Sequence, residues 1–119
     1  MELGLDGKAV LVTGGSKGIG LETARLFARE GAHVLICARR ASALAEAAAD
    51  ILGTTGRAVE THPLDVTDVT QIATLPEVIR RTLGRIDVLV NNAGTGTYKP
   101  FLEVTDEELL YGMAINFFA

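Results

Sequence analysis

Unbroken apolar runs alternate with helical stripes along this chain. After Lys8, the run Ala9-Val10-Leu11-Val12 leaves no polar face, which predicts a buried strand over 8–12. From Gly18 to about Arg29 the period becomes helical. Ile19, Thr23, Leu26 and Phe27 lie on the predicted inner side, with Glu22, Arg25, Arg29 and Glu30 outside. Gly31 is placed to end this helix, and a second strand is predicted at His33–Ala38. Ser42 is the expected N-cap of a second helix carrying Leu44, Ala48, Ile51 and Leu52, with Gly53 as its stop. A weaker strand is predicted at 57–61. The third helix is expected to start at Asp68 and present Ile72, Leu75, Ile79 and Leu83. Pro76 either kinks it or divides it into a short turn and a new helix. Gly84 closes that region, and 86–90 reads as a fourth strand. A loop follows over 95–104, then a last helix that opens on Thr105 with Glu108 three residues on and runs through Phe117.

This β-α-β-α-β-α-β-α order predicts an α/β fold: a Rossmann-like doubly wound parallel sheet, truncated after the fourth strand and the following helix. The first strand feeds Thr13-Gly14-Gly15-Ser16-Lys17-Gly18-Ile19-Gly20 and then a helix. Backbone unshielded by side chains, next to the unpaired N–H groups of a helix start, suits a phosphate. The spacing Gly14-x-x-x-Gly18-x-Gly20 is neither the GxGxxG fingerprint nor a Walker loop.

Composition narrows the class. At 119 residues with 48% hydrophobic and 22% charged residues, the chain suits one globular domain. The net charge of −4, with Lys and Arg scattered, argues against a nucleic-acid partner. No apolar run approaches the roughly 18 residues of a membrane span, and the start Met1-Glu2-Leu3-Gly4 lacks a signal core, so no membrane partner and a cytoplasmic location are expected. The single Cys37, inside an apolar run, reads as a buried structural thiol, and no metal site is expected.

Four features in order now resemble the short-chain dehydrogenase/reductase family over nearly the whole chain. They are the glycine turn, Asp65-Val66 after the third strand, Asn91-Asn92-Ala93-Gly94 after the fourth, and Asn116 in the last helix. The resemblance implies that residues 1–119 are an NAD(P)-binding Rossmann domain lacking its C-terminal catalytic half. It implies that Gly14, Ser16, Lys17, Gly18, Ile19 and Gly20 hold the pyrophosphate side. Asp65 and Val66 would meet the adenine, and Asn92, Ala93 and Gly94 the ribose. Asn91 and Asn92 would also tie neighbouring strands, and Asp65 has a competing reading as a helix cap. Asn116 would contribute to catalysis by holding a relay water through a helix distortion, with an interhelical hydrogen bond as the competing reading.

Cofactor choice follows from charge. An NAD site of this kind places an acid at the end of the second strand to hold the ribose 2′-OH. Here the strand ends Cys37-Ala38-Arg39-Arg40. Arg39, Arg40 and Lys17 suit a 2′-phosphate, so NADP(H) is expected over the alternative NAD(H), with Arg40 the better candidate for a merely solvated charge.

The resemblance further implies hydride transfer between nicotinamide and a small carbonyl or alcohol substrate, using a Ser and a Tyr-x-x-x-Lys. Tyr98 and Tyr111 do not supply that pair, because Leu102 and Ile115 stand four residues on. Tyr98 is expected at a substrate mouth at most. A non-catalytic nucleotide-binding or oligomerisation module is the alternative function, and another doubly wound nucleotide-binding family is a third. An unpaired fourth strand and the exposed apolar side of the last helix (Leu110, Met113, Phe117 and Phe118) lead us to expect a homo-oligomer.

Overall fold

The computed structural model describes residues 2–119. Its elements run β1 (Ala9–Thr13), α1 (Gly18–Arg29), β2 (His33–Ala38), α2 (Ala41–Thr55), β3 (Glu60–Pro63), α3 (Val69–Thr82), β4 (Val88–Val90) and α4 (Asp106–Met113). A 3-10 turn at Phe101–Glu103 lies within the predicted loop, and a π turn at Ala114–Phe118 follows α4. The strands form one parallel sheet in the order β3-β2-β1-β4.

Alternation along the two central strands builds both layers. Val10 and Val12 of β1 pair in register with Val34 and Ile36 of β2, and all four face α1 and α2. Leu11, Leu35 and Cys37 point the other way, onto Leu64 and Val78 of the α3 side. Each face of the sheet is therefore covered, which is why these strands carry no polar alternation.

The inner face of α1 matches the expected one only in part: Phe27 packs against the core. Gly20, Ala24 and Ala28 are buried, whereas Ile19 is 80% and Leu26 55% exposed. Small residues at four-residue spacing let the helix lie close on β1 and β2, and apolarity alone does not report that fit. In α2 the buried set is Leu44, Ala47 and Ile51, and Leu52 is exposed. Ser42 does not cap α2: the cap position is Arg40, without a side-chain hydrogen bond. Nor does Gly53 stop the helix, which continues to Thr55 and ends at the left-handed Gly56 (φ 72°).

Strand β3 lies later than predicted because pairing places it: Leu35 is opposite Glu60, and Ala38 opposite Pro63. Pro63 is tolerated on this edge strand, where one side has no ladder to supply. The third helix is continuous through Pro76, whose exposed position leaves the unpaired Ile72 carbonyl to water. Its cap is Asp68 as expected, accepting from the Thr70 and Gln71 N–H groups at 2.9 and 3.3 Å. In α3, Val78 is buried and Leu75, Ile79 and Leu83 pack around it, while Ile72 is 38% exposed.

The regular part of β4 is also shorter than 86–90. Ahead of Val88 a side chain joins the ladder, with the Ala9 N–H donating to Asp87 Oδ2 and the Asp87 N–H to the Ala9 carbonyl, both at 2.8 Å. Thr105 caps α4 by accepting from the Glu108 N–H at 3.1 Å. The Glu108 carboxylate binds Lys99 Nζ at 2.6 Å, in the preceding loop. No helix among the described residues is long and apolar enough to cross a membrane.

Candidate functional site

Strands β2 and β3 lie on one side of β1 and β4 on the other, so the chain reverses its winding between β1 and β4. A cavity of about 720 Å³ opens at the carboxyl ends of the strands at this switch point. Ligands bind at such places because neighbouring loops diverge there.

The glycine turn forms one wall, and its glycines serve different needs. Gly14 (φ 65°) takes the left-handed turn, and a Cβ on it would sit 2.9 Å from Asn92 Nδ2 and 3.0 Å from the Ala93 Cα. Gly18 (φ 57°) borders open space. Gly20 packs inward: a Cβ there would collide with the Gly14 carbonyl oxygen and the Asn92 amide. Gly15, which the site reading passed over, leaves room for Ile36, whose Cβ would be 2.8 Å from an added methyl. Lys17 is extended at the cap position of α1 and makes no side-chain cap, so the first N–H groups of that helix stay available.

Thr13 ties the turn to the end of β4. Its hydroxyl donates to the Val90 carbonyl at 3.4 Å and accepts from the N–H groups of Asn92 and Ala93, each at 3.1 Å. Asn92 Nδ2 donates to the Gly14 carbonyl at 3.1 Å, so Asn92 is the residue that ties neighbouring strands, while Asn91 is exposed and away from the cavity. Thr13 is the polar residue that opens the turn motif, but the sequence does not show that its hydroxyl holds the end of β4.

Ser16, Lys17, Gly18 and Ile19 line the cavity with Gly14, and Gly20 does not. Arg39 and Arg40 line it from the β2–α2 turn, where α2 also starts without a side-chain cap. Arg39 Nη1 donates to the Tyr111 hydroxyl at 3.1 Å. Asp65 and Val66 line the cavity after β3, and Asn92, Ala93 and Gly94 after β4. Asp65 does hold the turn that leads into α3, while the helix cap itself is Asp68. The Asp65 Oδ1 accepts from the Thr67 hydroxyl at 2.6 Å and the Thr67 N–H at 2.9 Å. These bonds, with the Arg39 charge nearby, hold its carboxyl below the usual carboxylate range. Cys37 sits at the cavity floor with its thiol pushed up to about 12 by burial.

Asn116 lies in the π turn and borders a second cavity, of about 580 Å³, between the loop after β4 and α4. Its side chain makes no interhelical bond. Oδ1 accepts from the Thr95 N–H at 2.8 Å and Nδ2 donates to the Thr95 carbonyl at 2.7 Å. Gly94 accommodates this lock, since a Cβ would be 2.7 Å from Asn116 Oδ1. Tyr98, in the loop after β4, is fully exposed and lines neither cavity.

The fold and cleft define a Rossmann-like α/β protein with its ligand space at the topological switch point. Residues 8–119 match the short chain dehydrogenase family, and the chain belongs to it. It is 45% identical over 96 residues to the uncharacterized oxidoreductase YxjF of Bacillus subtilis (strain 168), covering 81% of this chain and 37% of that protein. L-Sorbose reductase from Gluconobacter frateurii, solved in complex with NADPH and L-sorbose, superposes with a TM-score of 0.87 at 36% identity. That match covers 99% of this chain and 45% of that one. NAD+-bound xylitol dehydrogenase gives 0.87 at 30% identity, covering 96% and 44%. The chain thus spans less than half the length of these proteins.

Proposed function

We propose that this chain is the cofactor-binding part of an NADP(H)-dependent oxidoreductase that interconverts a small carbonyl and an alcohol. The observation that carries this reading is a convergence at one cavity: two helix starts without side-chain caps, the glycine turn, and the cations of Lys17, Arg39 and Arg40. By contrast, α3 and α4 are capped by Asp68 and Thr105. The volume suits a small-molecule ligand, and Gly18 leaves the wall bare where backbone must approach phosphate.

In this reading the free N–H groups at the start of α1 hold the pyrophosphate, with Ser16 and Ile19 shaping the wall. Asp65 uses the oxygen not taken by Thr67 to accept from the adenine amino group, beside the Val66 amide. Ala93 and Gly94 leave room for a ribose on a floor fixed by Asn92. The nicotinamide, when bound, gives or takes the hydride. The Asn116 side chain is committed to Thr95, so its contribution to a proton relay runs through the π-turn backbone. Both cofactors occur among the chain's structural neighbours: xylitol dehydrogenase is NAD+-bound and sorbose reductase is complexed with NADPH. Here Arg39, where an acid would select NAD, favours NADP(H). Self-association through the exposed Leu110, Met113, Phe117 and Phe118 and a cytoplasmic location complete the reading.

Calorimetric titration of the full-length protein tests it. NADPH is expected to bind at least about tenfold more tightly than NADH, and Arg39→Ala to remove that margin. Equal or tighter NADH binding overturns the cofactor assignment. Failure to oxidise NADPH with any of a panel of carbonyls, in a protein that binds it, favours a non-catalytic nucleotide-binding module.

A further inference from the structure

We infer that Tyr111 is a specificity-determining residue that holds Arg39 in place to read the 2′ position of the dinucleotide. The inference rests on the cofactor reading above and extends it to an element that reading leaves unused. Arg39 follows β2, and Tyr111 lies on α4, 72 residues further along the chain. The two meet across the mouth of the cavity, and both line it. Ile115, four residues after Tyr111 in the π turn, lines the same space, so α4 and the π turn together border the cavity.

A guanidinium has five N–H donors in a planar fork, and Tyr111 engages Nη1 alone. The remaining donors can still grip a phosphate. The hydrogen bond to Tyr111 restrains the plane of a long, exposed side chain that would otherwise lose rotamer freedom on binding. Through Arg39, the Tyr111 hydroxyl therefore acts on the 2′ substituent.

The test uses Tyr111→Phe in the full-length protein, which keeps the ring and removes the hydroxyl. Binding is read with NADPH, NADH, and the half-cofactors 2′,5′-ADP and 5′-AMP. The variant is expected to weaken NADPH and 2′,5′-ADP roughly fivefold while leaving NADH and 5′-AMP unchanged. In an Arg39→Ala background the same change is expected to have no further effect. Equal weakening of all four ligands, or of none, overturns the inference while the proposed cofactor site stands. A wild-type protein that binds neither dinucleotide, or prefers NADH, overturns both.

Discussion

The side-chain amide of Asn92 donates to the carbonyl oxygen of Gly14 at 3.1 Å, joining the end of β4 to the glycine turn after β1. A side chain on Gly20 would strike both groups. The switch point is thus closed by contacts in which a glycine is needed as a space and not for its flexibility.

Gly20→Ala is therefore expected to destabilise the fold by about 1–3 kcal/mol, because backbone and a locked amide must move to admit the methyl. Gly53→Ala is the internal comparison. Gly53 lies within α2 with nothing near its added Cβ, and the change is expected to stabilise by about 0.5–1 kcal/mol. Urea denaturation of both variants measures the contrast, and a harmless Gly20→Ala would refute the packing argument.

Thr13→Val retains shape but removes the acceptor of the Ala93 N–H, and the one that the Asn92 N–H shares with the Val90 carbonyl. Thr13 is buried, so the expected loss is about 1–3 kcal/mol. Thr13→Ser keeps the hydroxyl and should cost only about 1 kcal/mol, for the lost methyl. Equal losses in the two variants would show that the hydroxyl contributes nothing.

Acid stability should depend on Asp87. The Ala9 N–H and then Arg85 hold its carboxyl below the ordinary range, so the folded state binds a proton less readily than the unfolded one. Its stabilisation is complete above the unfolded value of about 3.9 and disappears as pH falls through the depressed folded value. Asp87→Asn keeps an acceptor for Ala9 but not the charge. The urea midpoint of this variant should fall less steeply than wild type below about pH 4. Part of the slope should remain, because Asp65 and Asp68 are lowered in the same sense by the hydroxyls of Thr67 and Thr70.

Cys37, the one cysteine in the sequence, offers a reporter of opening. Burial raises its thiol well above the ordinary range, so very little is thiolate at pH 8 and reagent reaches it only when the fold opens. An aromatic disulfide reagent should label the native protein orders of magnitude more slowly than the protein in denaturant. Comparable rates would mean that β2 is not buried in solution.

Much of this protein was legible without its structure. The unbroken runs at β1 and β2, the glycines that end helices, and the residue order around Gly14, Asp65 and Asn92 depend on local chemistry, which sequence reports directly. Most cavity-lining residues came from those same motifs. The misreadings share a cause. Ser42, Gly53 and the 57–61 strand looked right locally, but pairing with β2 moved β3, and α2 continued to a better left-handed terminator at Gly56. The stripe Gly20-Ala24-Ala28 was hidden because close packing selects small residues, not the most apolar ones.

The sequence by itself determined the alternation of strands and helices, the position of the glycine turn and the absence of an acid after β2. Tertiary structure alone decided which atoms those residues spend on each other. Thr13 on Asn92 and Ala93, Asn116 on Thr95, and Arg39 on Tyr111 are all contacts between distant segments. Such pairings have no local signature. A hydroxyl or guanidinium finds its partner only once the sheet order β3-β2-β1-β4 brings the strand ends and α4 to one cavity.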